Sequence, residues 1–185
     1  MTVWFDEAGQ HTEAVLEAVG ERLQRGDIGH VVVATTSGRT GARFAEAQRD
    51  SNVDIVCVTH HVGFSGGDED QLEPEHAEAI RAAGGHILTT SHALSGVGRT
   101  ISKQLGGVTR VEVIAHTLRL FGQGMKVCVE IAVMAADAGL IPTDRDVICV
   151  GGTGRGADTA VVLEPAHTNC FFEMRIRDTL CRPVA

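Results

Sequence analysis

Residues 31–41 read V-V-V-A-T-T-S-G-R-T-G, and this stretch constrains the chain more than any other. A run of β-branched apolar residues stops at Thr35. Hydroxyls and glycines follow at once. Beyond Gly41, Ala42, Phe44, Ala45 and Ala47 recur with helical spacing. The pattern predicts a strand, a tight polar turn and the start of a helix. A helix N-terminus points free N–H groups outward and carries partial positive charge, which suits an anion. Gly38 and Gly41 are read as letting backbone approach a ligand closely. Thr35, Thr36, Ser37 and Thr40 offer hydroxyls, and Arg39 adds a charge-assisted fork. The expected role is a phosphate cradle. The plainer reading is an ordinary strand-to-helix turn with an N-cap.

Further strand and helix patterns follow in alternation. Residues 1–5 read as a short edge strand and 10–25 as an amphipathic helix ended by Gly26. Strand one is 30–35, followed by a helix over 41–49. Strand two, 54–59, is apolar throughout, as strands covered on both faces are. His60, His61, Gly63 and Phe64 leave its carboxyl end. The Gly/Asp-rich loop 65–72 is expected to be mobile and at the surface. Pro74 opens a helix to residue 83, which Gly84-Gly85 ends. Strand three is 86–90, and Ser91, His92 and Ser95 follow it. Residues 97–108 read as a polar, glycine-rich segment. A helix over 110–121 is broken by Gly122-Gln123-Gly124 and restarts over 125–138. Lys126, Glu130 and Asp137 form a stripe on that second segment, read first as a solvated face. The alternative is that Lys126 reaches a ligand. Strand four is 146–150, and the turn 151–159 reads G-G-T-G-R-G-A-D-T. Strand five, 160–163, follows too closely for a crossover helix, so it must run antiparallel to strand four. Residues 170–180 read as a terminal helix.

This alternation predicts a single α/β domain over 1–185. Its expected form is three layers around a mainly parallel five-stranded sheet of order 3-2-1-4-5, with strand five antiparallel. In such sheets ligands bind at the carboxyl ends of strands, where strand order reverses. The turns 35–41 and 151–159 would then face each other across one crevice. Gly151, Gly152, Gly154 and Gly156 are more glycine than a hairpin needs. Thr153 lies among them, Arg155 lies at the tip, and Thr159 can return a hydroxyl toward the crevice. Asp158 either orients the loop or contacts a ligand hydroxyl. The turn joins two antiparallel strands, so a G-x-G-x-x-G dinucleotide site is excluded.

Composition narrows the partners. A net charge of −8 argues against general nucleic-acid binding. No stretch approaches the roughly 20 apolar residues that span a bilayer, and Asp6 and Glu7 near the start do not suit a signal peptide. Five cysteines with no C-x-x-C pair fit a reduced, cytoplasmic protein, with Cys57 and Cys149 buried in strands.

At the two turns the sequence resembles the carboxyl-terminal domain of pyruvate kinase. The matching residues are Thr36-Ser37-Gly38-Arg39-Thr40 and Gly156-Ala157-Asp158-Thr159. The resemblance implies the same sheet order and a sugar-phosphate site at the two loops. It implies no pyruvate kinase activity, because the catalytic barrel is not in these residues. The segments 91–107, 124–139 and 151–169 resemble small stand-alone proteins of the same family, some of which look like binders of flavin mononucleotide (FMN). The implied ligand is a phosphorylated small molecule, FMN first, with a flavin-dependent oxidoreductase as one outcome. A non-catalytic sensor of a phosphorylated metabolite is the alternative, and a non-redox enzyme on a phosphorylated substrate is a third. With six Phe, one Trp and no Tyr, little is available to sandwich a flavin ring.

The nine histidines match no metal motif, so no metal is expected. His60, His61 and His92 stand where general acid–base chemistry could use them, and polar loop residues are the plainer reading. The oligomeric state stays open, a homo-oligomer included.

Overall fold

The apolar runs at 31–33, 55–58 and 147–150 form the centre of one sheet, because both of their faces are covered. The computed structural model describes residues 1–184. Its strands are β1 (Val3–Phe5), β2 (His30–Ala34), β3 (Asp54–Thr59), β4 (His86–Thr89), β5 (Val147–Gly151), β6 (Thr159–Glu164) and β7 (Arg175–Pro183). The helices are α1 (Thr12–Leu23), α2 (Arg39–Ala47), α3 (Pro74–Ala82), α4 (Gly96–Leu105), α5 (Arg110–Arg119) and α6 (Gln123–Asp137), with a 3-10 turn at Thr168–Glu173.

Successive strand residues point to opposite faces. Val31, Val33, Ile55, Cys57, Ile148 and Val150 pack on one face against Val15 and Val19 of α1, Phe44 of α2 and Ile80 of α3. Val32, Val56, Val58, Val147 and Cys149 pack on the other against Met125, Cys128, Ile131 and Ala132 of α6. These are the outer layers of an α/β/α arrangement. Cys57 and Cys149 are buried, and burial pushes the Cys57 thiol up to about 12. Among the described residues no helix is long and apolar enough to cross a membrane.

The sheet has seven strands, in the order β1-β7-β6-β5-β2-β3-β4. A five-stranded sheet is therefore too small. β2 pairs in parallel with both β3 and β5, and β6 runs antiparallel to β5. The largest departure from expectation is at 170–180. That segment is a 3-10 turn and then β7, rather than a terminal helix. β6 would otherwise leave an apolar edge unpaired. β7 pairs with it antiparallel, with two register shifts, and also pairs in parallel with β1. Long-range pairing overrides a weak local pattern here. Residues 96–105 add a helix, α4, where a polar segment was expected. None of its residues is buried, so hydrophobic periodicity had no core to report.

The start of α6 lies unusually close to the sheet. A Cβ on Gly124 would sit 2.0 Å from Thr159 Oγ1 and 2.7 Å from Asp158 Oδ1. We expect Gly124→Ala to cost about 1–3 kcal/mol, the ordinary range for overpacking, read as an earlier midpoint in denaturant. Gly20→Ala is the contrast. Gly20 lies inside α1 with nothing within 4 Å of the added carbon, so this change should be neutral or stabilising. Equal midpoints for the two variants would refute the close approach.

Candidate functional site

A cleft of about 1350 Å³ opens over the carboxyl ends of β2, β3 and β5. Its first wall is the β2–α2 turn. Thr35, Thr36, Ser37, Arg39 and Thr40 line it. Gly41 N donates to Thr35 Oγ1 at 3.4 Å, and Ala42 N donates to Gly38 O at 2.8 Å, which starts α2. Ser37 O accepts from Glu73 N at 3.1 Å and meets His76 Nδ1 at 3.0 Å, so α3 braces the turn from behind. Gly38 and Gly41 do not line the cleft, contrary to the expectation of a close ligand approach. A Cβ on Gly38, whose φ is +93°, would meet His76 Cβ at 2.6 Å. A Cβ on Gly41 would meet Cys57 Sγ at 2.6 Å. These glycines serve the packing of α2 against α3 and β3.

The second wall is the β5–β6 turn, where Gly152, Gly154, Arg155 and Gly156 line the same cleft. Gly151 lies outside it. A Cβ there would sit 2.6 Å from Gly124 O, so this glycine admits α6. Thr153 contributes its N–H to the turn's own bracing, and Thr159 is buried, with its hydroxyl donating to Asp158 Oδ1 at 2.7 Å. Thr159 therefore returns no hydroxyl to the crevice. Asp158, fully buried, is the organiser: its Oδ2 also accepts from Thr153 N at 3.0 Å and Gly9 N at 3.1 Å. This clips the segment before α1 to the glycine turn. His11 N donates to Ala157 O at 2.9 Å and Ala157 N donates to Thr12 Oγ1 at 3.1 Å. As a consequence Gln10, Thr12 and Glu13 also line the cleft, which no local pattern in their segment foretells.

The floor is built from α6 and the loops after β3 and β4. Lys126 and Glu130 are each 3% exposed and form an ion pair one helical turn apart. The solvated-face reading fails for both. It holds only for Asp137, which is exposed and receives Thr168 N at 3.1 Å. Glu130 Oε1 accepts from Leu94 N at 2.8 Å and Ser95 Oγ at 3.3 Å. Ser95 thus supports the floor without lining the cleft, and Ser91 is exposed outside it. His92 Nδ1 lies 3.8 Å from Glu130 Oε2, and His92 Nε2 is buried without a partner. His60 stacks on Phe64 at 3.8 Å and lies 5.3 Å from His92. His61 and Gly63 stay off the cleft: His61 Nδ1 meets Val62 O at 2.8 Å, and Gly63 N donates to Glu69 O at 2.9 Å. The loop 65–72 folds back, with Gln71 joining His60 Nδ1 and Ser65 at 2.7 Å each. Asp70, Gln71 and Leu72 therefore line the cleft, although residues 65–70 are exposed.

Charge is uneven. Arg43 pairs with Glu13, and Lys126 with Glu130. Arg119 Nε donates to Gln123 Oε1 at 2.7 Å, and Arg99 sits 5.7 Å over the Phe64 ring. Among the described residues, Arg39 and Arg155 take part in no ion pair. Both face the same opening in a chain of net charge −8. Desolvation lowers the Lys126 ammonium below its usual range, opposed by Glu130 and aided by Arg119 and Arg99.

A flavin ring would have to pack on the aliphatic side chains of this lining, among them Val58, Val127, Ile131 and Met134. Phe64 is the cleft's Phe side chain, and its ring is taken up by His60, His92 and Arg99. Glu73, Glu75 and His76 offer ligand atoms within 4.8 Å of one another, and His76 Nδ1 meets Ser37 O at 3.0 Å.

The cleft lies where strand order reverses, the place at which open α/β sheets bind ligands. The chain belongs to the family described as the pyruvate kinase alpha/beta domain, whose sequence model matches residues 13–163. A pyruvate kinase from Cryptosporidium parvum is similar at 15% identity over 86% of this chain and 24% of that one, with a TM-score of 0.44. A Cryptosporidium parvum pyruvate kinase in complex with ADP gives 16% identity over 94% and 24%, with a TM-score of 0.40. An O-ureido-L-serine synthase gives 19% over 61% and 30%, at 0.33. The chain thus spans 24% of the length of those pyruvate kinases.

Burial lowers the His92 imidazole from 6.5 to about 4, opposed by Glu130 and aided by His60, Lys126 and His61. The folded state then binds its proton less readily than the unfolded chain. Its stabilising effect is full above pH 6.5 and is lost as pH falls toward about 4. We expect His92→Asn to flatten the stability profile across that window in denaturant titrations. An unchanged slope would exclude a buried neutral His92.

Proposed function

We propose that the protein binds a phosphorylated small molecule, with the phosphate on the 35–41 turn. The observation that carries this is the convergence of two anion-friendly turns on one cleft. Thr36, Ser37 and Thr40 bring hydroxyls at the start of α2, and Arg39 and Arg155 approach from opposite walls. Membership of the pyruvate kinase alpha/beta domain family supports the same reading. Helix-start N–H groups and the α2 dipole favour an anion at this end. The cleft volume of about 1350 Å³ leaves room for the rest of a metabolite beyond the phosphate.

Ser37→Asp places a carboxylate where the phosphate would rest. We expect it to abolish binding of inorganic phosphate and of sugar phosphates in calorimetry. Loss of one charge-assisted hydrogen bond costs about 1.5–3 kcal/mol, so Arg155→Ala should weaken binding roughly 10- to 100-fold. Ser37→Ala combined with Arg155→Ala should give a non-additive loss. Strict additivity would separate the two walls, and unchanged affinity in Ser37→Asp would remove the phosphate from this turn. Denaturing the purified protein identifies any co-purified molecule. A flavin spectrum in that supernatant would replace the sugar-phosphate class with FMN.

A further inference from the structure

Lysine is scarce in this chain. Of 16 Lys and Arg residues, only Lys103 and Lys126 are lysines. Lys103 is exposed near the end of α4. Lys126 is buried at the cleft floor, while the other cations there, such as Arg39, Arg99, Arg119 and Arg155, are all arginines. Arginine holds anions and keeps its charge. A buried lysine can give up its proton and act as a nucleophile. Three features favour the free amine. Lys126 is desolvated, it stands in the first turn of α6 where the helix dipole opposes positive charge, and Arg99 and Arg119 lie nearby. Glu130, in contact with its Nζ, is placed to take the proton. His92, whose buried Nε2 has no partner, lines the same cleft.

We infer that Lys126 captures a carbonyl carbon, so that the ligand class is phosphorylated aldehydes and ketones. This rests on the phosphate reading of the 35–41 turn. The Lys126 ammonium passes a proton to Glu130. The free amine attacks the carbonyl carbon, a C–N bond forms, and one N–H proton moves to the carbonyl oxygen, giving a carbinolamine. Glu130 returns its proton to that hydroxyl, the C–O bond breaks and water leaves. A protonated imine remains beside the Glu130 carboxylate. Ammonium and carbonyl have become iminium and water, with nothing oxidised or reduced.

The test uses glyceraldehyde 3-phosphate with the whole chain, followed by borohydride, which reduces an imine to a stable secondary amine. Peptide mapping is unambiguous because the other amines are Lys103 and the N-terminus. The expected result is a single adduct on Lys126. It should be lost in Lys126→Arg, reduced in Ser37→Asp, slowed in Glu130→Gln, and much weaker with unphosphorylated glyceraldehyde. Labelling of Lys103 or the N-terminus to the same extent as Lys126 would overturn the inference. Glycerol 3-phosphate, which has no carbonyl, separates the two readings in calorimetry. If it binds while the aldehyde phosphate leaves Lys126 unlabelled, carbonyl capture falls and the phosphate site stands. If neither compound binds, both readings fall.

Discussion

The buried Asp158 carboxyl group holds the cleft together. Its oxygens accept from Gly9 N, Thr153 N and Thr159 Oγ1, and Gly9 is 149 residues away along the chain. A carboxyl group taken fully out of water is costly unless donors replace its hydration. These donors come from the N-terminal segment, the glycine turn and the first residue of β6. Satisfying this one group therefore fixes the position of three segments. The same packing brings Gly124 against Thr159 and Gly151 against Gly124 O, which seats the start of α6 behind the turn.

That seating places Lys126 and Glu130 at the cleft floor rather than in solvent. Had Gly124 carried a side chain, α6 would stand away from β5 and β6, and the ion pair would lose its cover. Glu130 in turn gathers Leu94 N, Ser95 Oγ and Lys126 Nζ, which ties the loop after β4 to α6. The two turns with unpaired arginines form the outer walls, and this buried pair forms the base. Hydroxyl and guanidinium groups line one end of the cleft. A buried ammonium and carboxylate stand at the other.

Glycine has two physically different uses here. Gly154 and Gly156 take positive φ, at +78° and +74°, on the cleft wall. Gly38, Gly41, Gly124 and Gly151 are needed because helices and strands approach too closely for a Cβ. Sequence shows both kinds as the same letter. The first turn's glycines serve packing, and those of the second turn's tip shape the cleft wall.

The strand–turn–helix at 31–41, the glycine turn at 151–159 and the alternating α/β order are legible in the sequence, because they are local patterns of apolar period and turn chemistry. The sequence also marks Thr36, Ser37, Arg39 and Thr40 beside a helix start, and Arg155 at the tip of the glycine turn, as candidates, since such groups can hold an anion, although a capped turn carries the same letters. The rest depends on contacts between distant segments. β7 exists because β6 needs a partner, a demand that residues 170–180 do not express. Lys126 and Glu130 are buried because residues 92–95 and the sheet cover them, whereas their spacing alone suits a solvated stripe equally well. Gln10, Thr12 and Glu13 reach the cleft through the hydrogen bonds of Asp158 and Ala157, and bonds between segments so far apart leave no trace in either segment read alone.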